Sequence, residues 1–171
     1  EFISDRHNHI TEENIHKLYM MAIGNFLEGD DRLRDGEFYR HDDVYVMGGD
    51  GVVHRGIGSG KLPGYMKQFV DFANADDGIN DLLKAAMLHF DIAYLHPYFD
   101  GNGRMARLLH MWFLIQKGYE STLFVPFSSY IEKSRKQYYH SFTLIVENYK
   151  LSGVMDITPF LLYFIQNVYE T

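Results

Sequence analysis

The sequence contains no cysteine among its 171 residues. Disulfides, thiol nucleophiles and cysteine-type zinc sites are therefore excluded, and the absence is typical of a reducing compartment, so we expect a cytoplasmic location. No apolar run approaches the roughly 20 residues that cross a bilayer, and the first residues lack the basic and apolar parts of a signal peptide. We therefore expect no membrane partner.

Basic residues are also scarce, with 16 Lys+Arg against 23 Asp+Glu and a net charge of -7. This balance disfavours a broad surface for nucleic-acid phosphates, so no nucleic-acid partner is expected, although a small basic pocket is compatible with it. With 46% hydrophobic and 23% charged residues, the chain can bury a core as a single domain over residues 1–171. It starts without Met just before a helical pattern, and we expect a domain excised from a longer protein.

Apolar residues recur at helical spacing along most of the chain, which predicts a mostly α fold. The first helix is predicted from Thr11 to Glu28. Two short β-branched stretches around a Gly-rich turn, 44–47 and 52–54, predict one β-hairpin. Five further helices are predicted: one opened by Pro63, one ended by Pro97, one capped by Asn102, one after a Ser129–Glu132 capping box, and one opened by Thr158.

The segment between two of these helices carries the chemistry: His96 to Arg107 read HPYFDGNGRMAR. Glycines at a helix start let a ligand approach exposed backbone N–H groups, so Gly101 and Gly103 predict an anion cradle suited to phosphate. Arg104 and Arg107 project from neighbouring positions of the new helix and suit a polyphosphate.

Two more groups in the same segment complete the pattern. Asp100 is a hard oxygen ligand of the kind that holds Mg²⁺ together with substrate phosphates, and His96 can accept a proton near neutral pH. Taken singly, each feature has an ordinary explanation, as a turn, a helix end or a solvated helix face. The combination indicates a phosphate-transfer site.

These residues resemble the signature of the Fic family, His-x-Phe-x-(Asp/Glu)-Gly-Asn-Gly-Arg-x-x-Arg, and depart from it only at Tyr98, where the family has Phe. The likeness extends over nearly the whole chain and includes the sequence GEFYR at 36–40. It implies a Fic-type helical bundle with one β-hairpin flap near the active site. It also implies a protein adenylyltransferase that moves AMP from ATP to a Ser, Thr or Tyr hydroxyl of a target protein and releases pyrophosphate.

The resemblance assigns roles by position. His96 is implied as the general base and Asp100 as the Mg²⁺ ligand. The implied phosphate-binding residues are Gly101, Asn102, Gly103, Arg104 and Arg107. The implied target-docking flap is Val53, His54, Arg55, Gly56 and Ile57. The implied adenine pocket is Tyr138, Tyr139 and Phe142.

Other functions stay open at this point. Some family members transfer another phosphate-bearing group, although Gly103 favours adenylylation. A catalytically silent nucleotide- or partner-binding module is disfavoured by the intact motif. A metal-dependent phosphohydrolase built on His41, Asp42, His89 and His96 has weak support, because the first pair falls in a predicted turn.

Many relatives are inhibited by a helix carrying (Ser/Thr)-x-x-x-Glu-(Gly/Asn). Glu28 precedes a glycine, but Gly24 stands at the Ser/Thr position, so we interpret Glu28 as a helix end. An inhibitory helix is expected from removed upstream sequence or from a partner protein.

Overall fold

A computed structural model describes residues 1–48 and 51–170 of the chain. These residues form seven α-helices and one two-stranded antiparallel sheet, which confirms the predicted mostly α fold. The helices are α1 (Glu12–Ala22), α2 (Leu62–Asn74), α3 (Asp81–Leu95), α4 (Asn102–Gln116), α5 (Phe127–Lys133), α6 (Arg135–Ser152) and α7 (Thr158–Phe164). The strands are β1 (Tyr45–Gly48) and β2 (Gly51–Arg55).

One compact unit comprises Glu1–Val44 and Gly56–Leu123. Within it α3 packs against α4, α2 packs against both α1 and α3, and the N-terminal segment contacts α4. Ile15, Met66 and Trp112 are fully buried in its core. The helix pair α3–α4 is joined by the short loop 96–101, so the predicted site lies at one end of the unit's central helices.

The first helix is shorter than predicted. It ends at Ala22 rather than at Glu28, because Ile23 leaves the helical region with φ −141°. Gly24 follows and is packed so closely that an added Cβ would lie 2.5 Å from the sulfur of Met20. The interpretation of Glu28 as a helix end is therefore wrong: this residue lies between two short 3₁₀ turns.

A second difference concerns the predicted Ser129–Glu132 capping box. Ser129 lies inside α5, and the helix breaks at Ser134 before α6 begins. The Ser134 hydroxyl donates to the Tyr130 carbonyl at 2.8 Å and pairs with the Tyr163 hydroxyl at 2.7 Å. The sequence predicted one helix here, whereas the structure has two helices that are separated at Ser134.

The other unit comprises the described residues of Tyr45–Arg55 and Phe124–Thr171. In it α6 packs against α7 and β2, and α5 packs against the π-helical turn Ile165–Tyr169. The strands β1 and β2 pair antiparallel, with a register irregularity after Val46. The hairpin is confirmed, although turn residues 49 and 50 lie outside the described residues. The single domain stays a prediction.

None of the helices in the described ranges has the length and apolar character needed to cross a membrane.

Candidate active site

The predicted general base lies at the point where α3 ends. His96 caps the helix in the left-handed conformation, with φ 52° and ψ 59°, and its N–H donates to the Ile92 carbonyl at 3.0 Å. It is the one non-glycine residue with a positive φ in the described chain. That conformation costs an L-residue about 1–2 kcal/mol. Pro97 follows and disfavours the right-handed α region for His96, so the predicted helix end is confirmed.

The loop closes through a buried amide. The Asn102 Oδ1 accepts from the Tyr98 N–H at 3.0 Å, and its Nδ2 donates to the Tyr98 carbonyl at 2.8 Å. The predicted helix cap at Asn102 is therefore wrong: Gly101, with φ 85°, occupies the cap position, and the amide bonds inside the loop instead. Asn102 thereby fixes the shape of the turn that leads into α4.

A tyrosine pair anchors this loop to α1. The fully buried rings of Tyr19 and Tyr98 stack with centroids 3.8 Å apart and planes at 5°. The Tyr19 hydroxyl donates to the Asp100 carbonyl at 3.3 Å. The sequence showed Tyr19 only as one more apolar-face residue of a helix, so its contact with the loop was missed.

The predicted metal ligand is half-exposed and already engaged. The Asp100 Oδ1 accepts from the Gly101 N–H at 2.6 Å, and the Oδ2 lies 3.2 Å from Arg104 Nη2. Both side chains of the ion pair are about half exposed, at 54% for Asp100 and 52% for Arg104. Exposed pairs of this kind contribute only about 0–1 kcal/mol, so an incoming ligand can separate them at low cost.

These residues surround an open pocket of about 210 Å³. Its lining consists of His96, Phe99, Asp100, Gly101, Asn102, Gly103 and Arg104. The structure thus brings together six residues that the sequence predicted, all from one loop and one helix start. Arg107 is half-buried one turn further along α4 and is not among the described residues that line the pocket.

Two histidine rings make contacts at the pocket, one of them a hydrogen bond and the other a ring contact. The His96 ring Nδ1 lies 3.4 Å from the Ala93 carbonyl oxygen, which favours the tautomer with the proton on Nδ1 and the lone pair on Nε2. The ring of His41 meets that of Phe99 edge-on, with centroids 4.9 Å apart. His41 therefore supports a residue of the pocket lining.

A second residue missed by the sequence is Arg40. It is buried, with 2% of its surface exposed, and its guanidinium bonds the carbonyl of His96 at 2.7 Å. Burial lowers the pKa of Arg40, while the nearby Asp43 acts against that change. The residue stays charged because an arginine pKa starts so high.

The remaining predicted residues belong to the other unit or flank it. Tyr138 and Phe142 are buried in a cluster of aromatic rings on α6 and α7, and Tyr139 is half-buried beside them. Val53 and His54 lie on β2. The adenine-pocket and flap assignments stay predictions.

Comparison with known proteins decides the family. The sequence profile of the Fic/DOC family matches residues 9–114. The chain belongs to the Fic/DOC family. A curated relative, "Protein adenylyltransferase Fic" of Drosophila willistoni, is 32% identical over 154 residues, which cover 89% of this chain and 26% of the relative. This Fic chain therefore spans about a quarter of the length of the curated relatives it matches.

Solved structures support the same fold. A Fic family protein from Desulfovibrio desulfuricans G20 superimposes with a TM-score of 0.78 at 18% identity, covering 99% of this chain and 48% of that one. A Fic domain-containing signalling protein from Bacteroides thetaiotaomicron gives a TM-score of 0.66 at 24% identity, covering 98% of this chain and 62% of that one. At these identities the likeness concerns the fold alone.

Proposed function

We propose that this Fic chain transfers AMP from ATP to a Ser, Thr or Tyr hydroxyl of a target protein and releases pyrophosphate. The observation that carries the proposal is a pocket formed by His96, Asp100 and the start of α4, in which a base, a carboxylate and a glycine-flanked helix start converge. The names of curated relatives, protein adenylyltransferases, support the same reaction class.

In the proposed reaction the target oxygen attacks the α-phosphorus of ATP. The bond from that phosphorus to the bridging oxygen of the β-phosphate breaks, pyrophosphate leaves, and the hydroxyl proton passes to Nε2 of His96. A positioned base of this kind contributes about 10²- to 10⁴-fold, while positioning and charge stabilisation supply the rest. The left-handed backbone at His96 is a local strain of the type found where a side chain must be held at a reaction site.

The phosphates are assigned to the start of α4. Gly101, with φ 85°, turns the chain into the helix, and Gly103 leaves room for an anion at the backbone. Arg104 supplies a guanidinium on the pocket wall. We assign Arg107 to the outer phosphates from the next turn of the helix. Tyr138, Tyr139 and Phe142 as adenine contacts, and residues 53–57 as a target-docking flap, complete the proposal by family resemblance.

Asp100 fits a magnesium ion that is held mainly by nucleotide phosphates. The described residues contain no cluster of three or more His, Asp or Glu side chains that could enclose a metal by themselves. Mg²⁺ commonly takes only one or two protein carboxylates and completes its shell with phosphates and water, and Asp100 offers one half-exposed carboxylate in the pocket. Bound there, the ion would neutralise phosphate charge.

The test is intact-protein mass spectrometry after incubation with ATP and Mg²⁺, alone and with a cell lysate. We expect an added AMP on the chain or on a lysate protein, and we expect His96→Ala to lose it while ATP affinity stays within about threefold. A group other than AMP on the product would redirect the proposal to another donor. ATP binding without any modification would support the silent module.

A cytoplasmic location and an inhibitory helix supplied from outside residues 1–171 stay predictions within this proposal.

A further inference from the structure

Arg40 bonds carbonyl oxygens from three separate parts of the first unit. Its Nε donates to the His96 carbonyl at 2.7 Å and its Nη1 to the Asp42 carbonyl at 2.7 Å. Its Nη2 donates to the carbonyls of Ile57 and, at 3.4 Å, Leu95. A planar guanidinium has several donors in fixed directions, which suits it to join chain segments in this way.

The backbone of the same residue holds the next carbonyl of the loop. The Arg40 N–H donates to the Pro97 carbonyl at 2.9 Å. One residue therefore fixes the carbonyls of both His96 and Pro97, in a region where the last carbonyls of α3 have no partner inside the helix. A cation near a helix C-terminus is also favoured by the helix dipole.

His96 needs such support, because its left-handed conformation is unfavourable for a residue with a β-carbon. Such a backbone persists only where its surroundings hold it. The His96 N–H is fixed by donating to the Ile92 carbonyl, and the His96 carbonyl is fixed by accepting from Arg40. With both sides of the residue fixed, the direction of the Cα–Cβ bond that carries the imidazole is set as well.

Two further partners of the Arg40 side chain flank the hairpin in sequence. Asp42 precedes β1, and Ile57 follows β2. Between them the Gly56 N–H donates to the Val44 carbonyl at 2.8 Å. This bond joins the residue before β1 to the residue after β2.

We propose that Arg40 is a positioning residue that keeps His96 in its left-handed conformation and ties the two chain segments flanking the hairpin to the same point. The inference rests on the proposed function insofar as it concerns turnover. Arg40 touches neither substrate nor reacting atoms in this role, and it acts through the carbonyl of His96.

The test compares Arg40→Lys with the wild type in pyrophosphate release with ATP and Mg²⁺. Lysine keeps the charge but cannot direct donors to four carbonyls at once, so the base is displaced. We expect kcat to fall about 10- to 100-fold while the KM for ATP changes less than about threefold, because misplacement of a catalytic group mainly affects the chemical step. Should the lysine variant fail to fold, Arg40→Gln takes its place.

Lys84→Met is the matched control. Lys84 is also a buried cation, 1% exposed, and it holds the carbonyl of Ala75 at 2.7 Å and the carboxylate of Asp77 at 3.0 Å. We expect this variant to melt at a lower temperature with kcat within about threefold of the wild type. Equal losses of kcat in the Arg40 and Lys84 variants, a loss confined to KM, or an unchanged kcat in Arg40→Lys would each overturn the role.

An NMR measurement that does not depend on turnover distinguishes the role of Arg40 from the proposed function. The imidazole resonance of His96, assigned by its loss in His96→Ala, is expected to shift in Arg40→Lys and to stay in place in Lys84→Met. If the wild type transfers no AMP, the proposed function fails and this resonance alone decides the role of Arg40. An unchanged resonance in Arg40→Lys then refutes it.

Discussion

Two stacked tyrosines beneath the motif loop differ in how their hydroxyls are satisfied. The Tyr19 hydroxyl donates to the Asp100 carbonyl, whereas the buried Tyr98 hydroxyl has no hydrogen-bond partner among the described residues. Burial raises the pKa of Tyr98, so its hydroxyl stays neutral. A buried hydroxyl without a partner destabilises the folded state, so the phenylalanine typical of the family is the better-satisfied side chain here.

We therefore expect Tyr98→Phe to raise the free energy of unfolding by about 1 kcal/mol and Tyr19→Phe to lower it by about 1 kcal/mol. Urea denaturation of both variants against the wild type measures the difference. Matching losses in the two variants would show that the Tyr98 hydroxyl is satisfied in solution.

Asp91 on α3 gives a pH-dependent prediction. Burial raises the pKa of Asp91 from 3.8 to about 6. Between these two values the folded state keeps a proton that the unfolded state has released, so this residue makes stability fall as pH rises from about 4 to about 6, and adds no further change above that.

We expect Asp91→Asn to remove this dependence. The free energy of unfolding of the variant relative to the wild type should increase by up to about 3 kcal/mol between pH 4 and pH 8. Paired urea titrations at several pH values measure it. A difference that is constant across this range would show that the carboxyl is hydrated in the folded chain.

The start of α4 contains two glycines that are needed for different reasons. Gly101 has φ 85°, and an added Cβ would lie 2.7 Å from Ile23 Cδ1. Gly103 is exposed in the pocket, and its nearest neighbour would be Arg107 Nη1 at 3.6 Å. The first glycine is required by the fold, whereas the second leaves space that the fold does not use.

We expect Gly101→Ala to lower the free energy of unfolding by about 2–4 kcal/mol, since it combines backbone strain with a clash. Gly103→Ala should raise it by about 0.5–1 kcal/mol, because alanine favours the helix, yet weaken ATP binding about tenfold by filling the cradle. Thermal melts and nucleotide titrations of the pair separate the two effects. Unchanged ATP affinity in Gly103→Ala would show that the phosphates do not bind against Gly103.

The elements themselves were predicted unevenly from the sequence. The motif helices and the hairpin were predicted because apolar spacing, proline and glycine act locally. The end of α1 was missed because apolar residues continue at helical spacing to Phe26, whereas the chain leaves the helical region at Ile23. The role of Asn102 was missed for a similar reason: an asparagine before a helix has the same sequence signal whether it caps the helix or bonds back into the loop.

The sequence predicted the site residues of one continuous segment and missed the residues that contact this segment from elsewhere in the chain. Six of the predicted residues line one pocket because its lining comes from the short stretch 96–104. Tyr19 and Arg40 are distant from that segment in sequence, and a tyrosine on an apolar face or a single arginine carries no spacing signal. Their contacts depend on how the helices pack, which a single sequence does not specify.

Replacement of the hairpin tests its proposed part in target docking. The Gly56 N–H and Val44 carbonyl are bonded at 2.8 Å, so residues 45–55 can be replaced by a two-glycine link without stretching the chain. We expect this replacement to keep ATP affinity within about threefold and to abolish modification of a protein target, because the proposed docking by strand addition uses the main chain of the hairpin.

Tyr45→Ala is the control for that replacement. The Tyr45 side chain is 63% exposed, and its removal leaves the strand backbone intact, so target modification should persist. Undiminished target modification by the glycine-linked chain would contradict the proposed docking role of the hairpin.

The left-handed backbone at His96 also implies a trade-off between the proposed activity and the stability of the folded state. Asparagine and glycine adopt that conformation more readily than most residues, so replacing the histidine by either can relieve strain while it removes the proposed base. In a lineage that no longer needs turnover, selection for stability would therefore favour loss of the histidine and retention of the surrounding loop. We accordingly expect His96→Asn to be more stable than His96→Ala, which makes the asparagine variant the better inactive form for capturing target proteins.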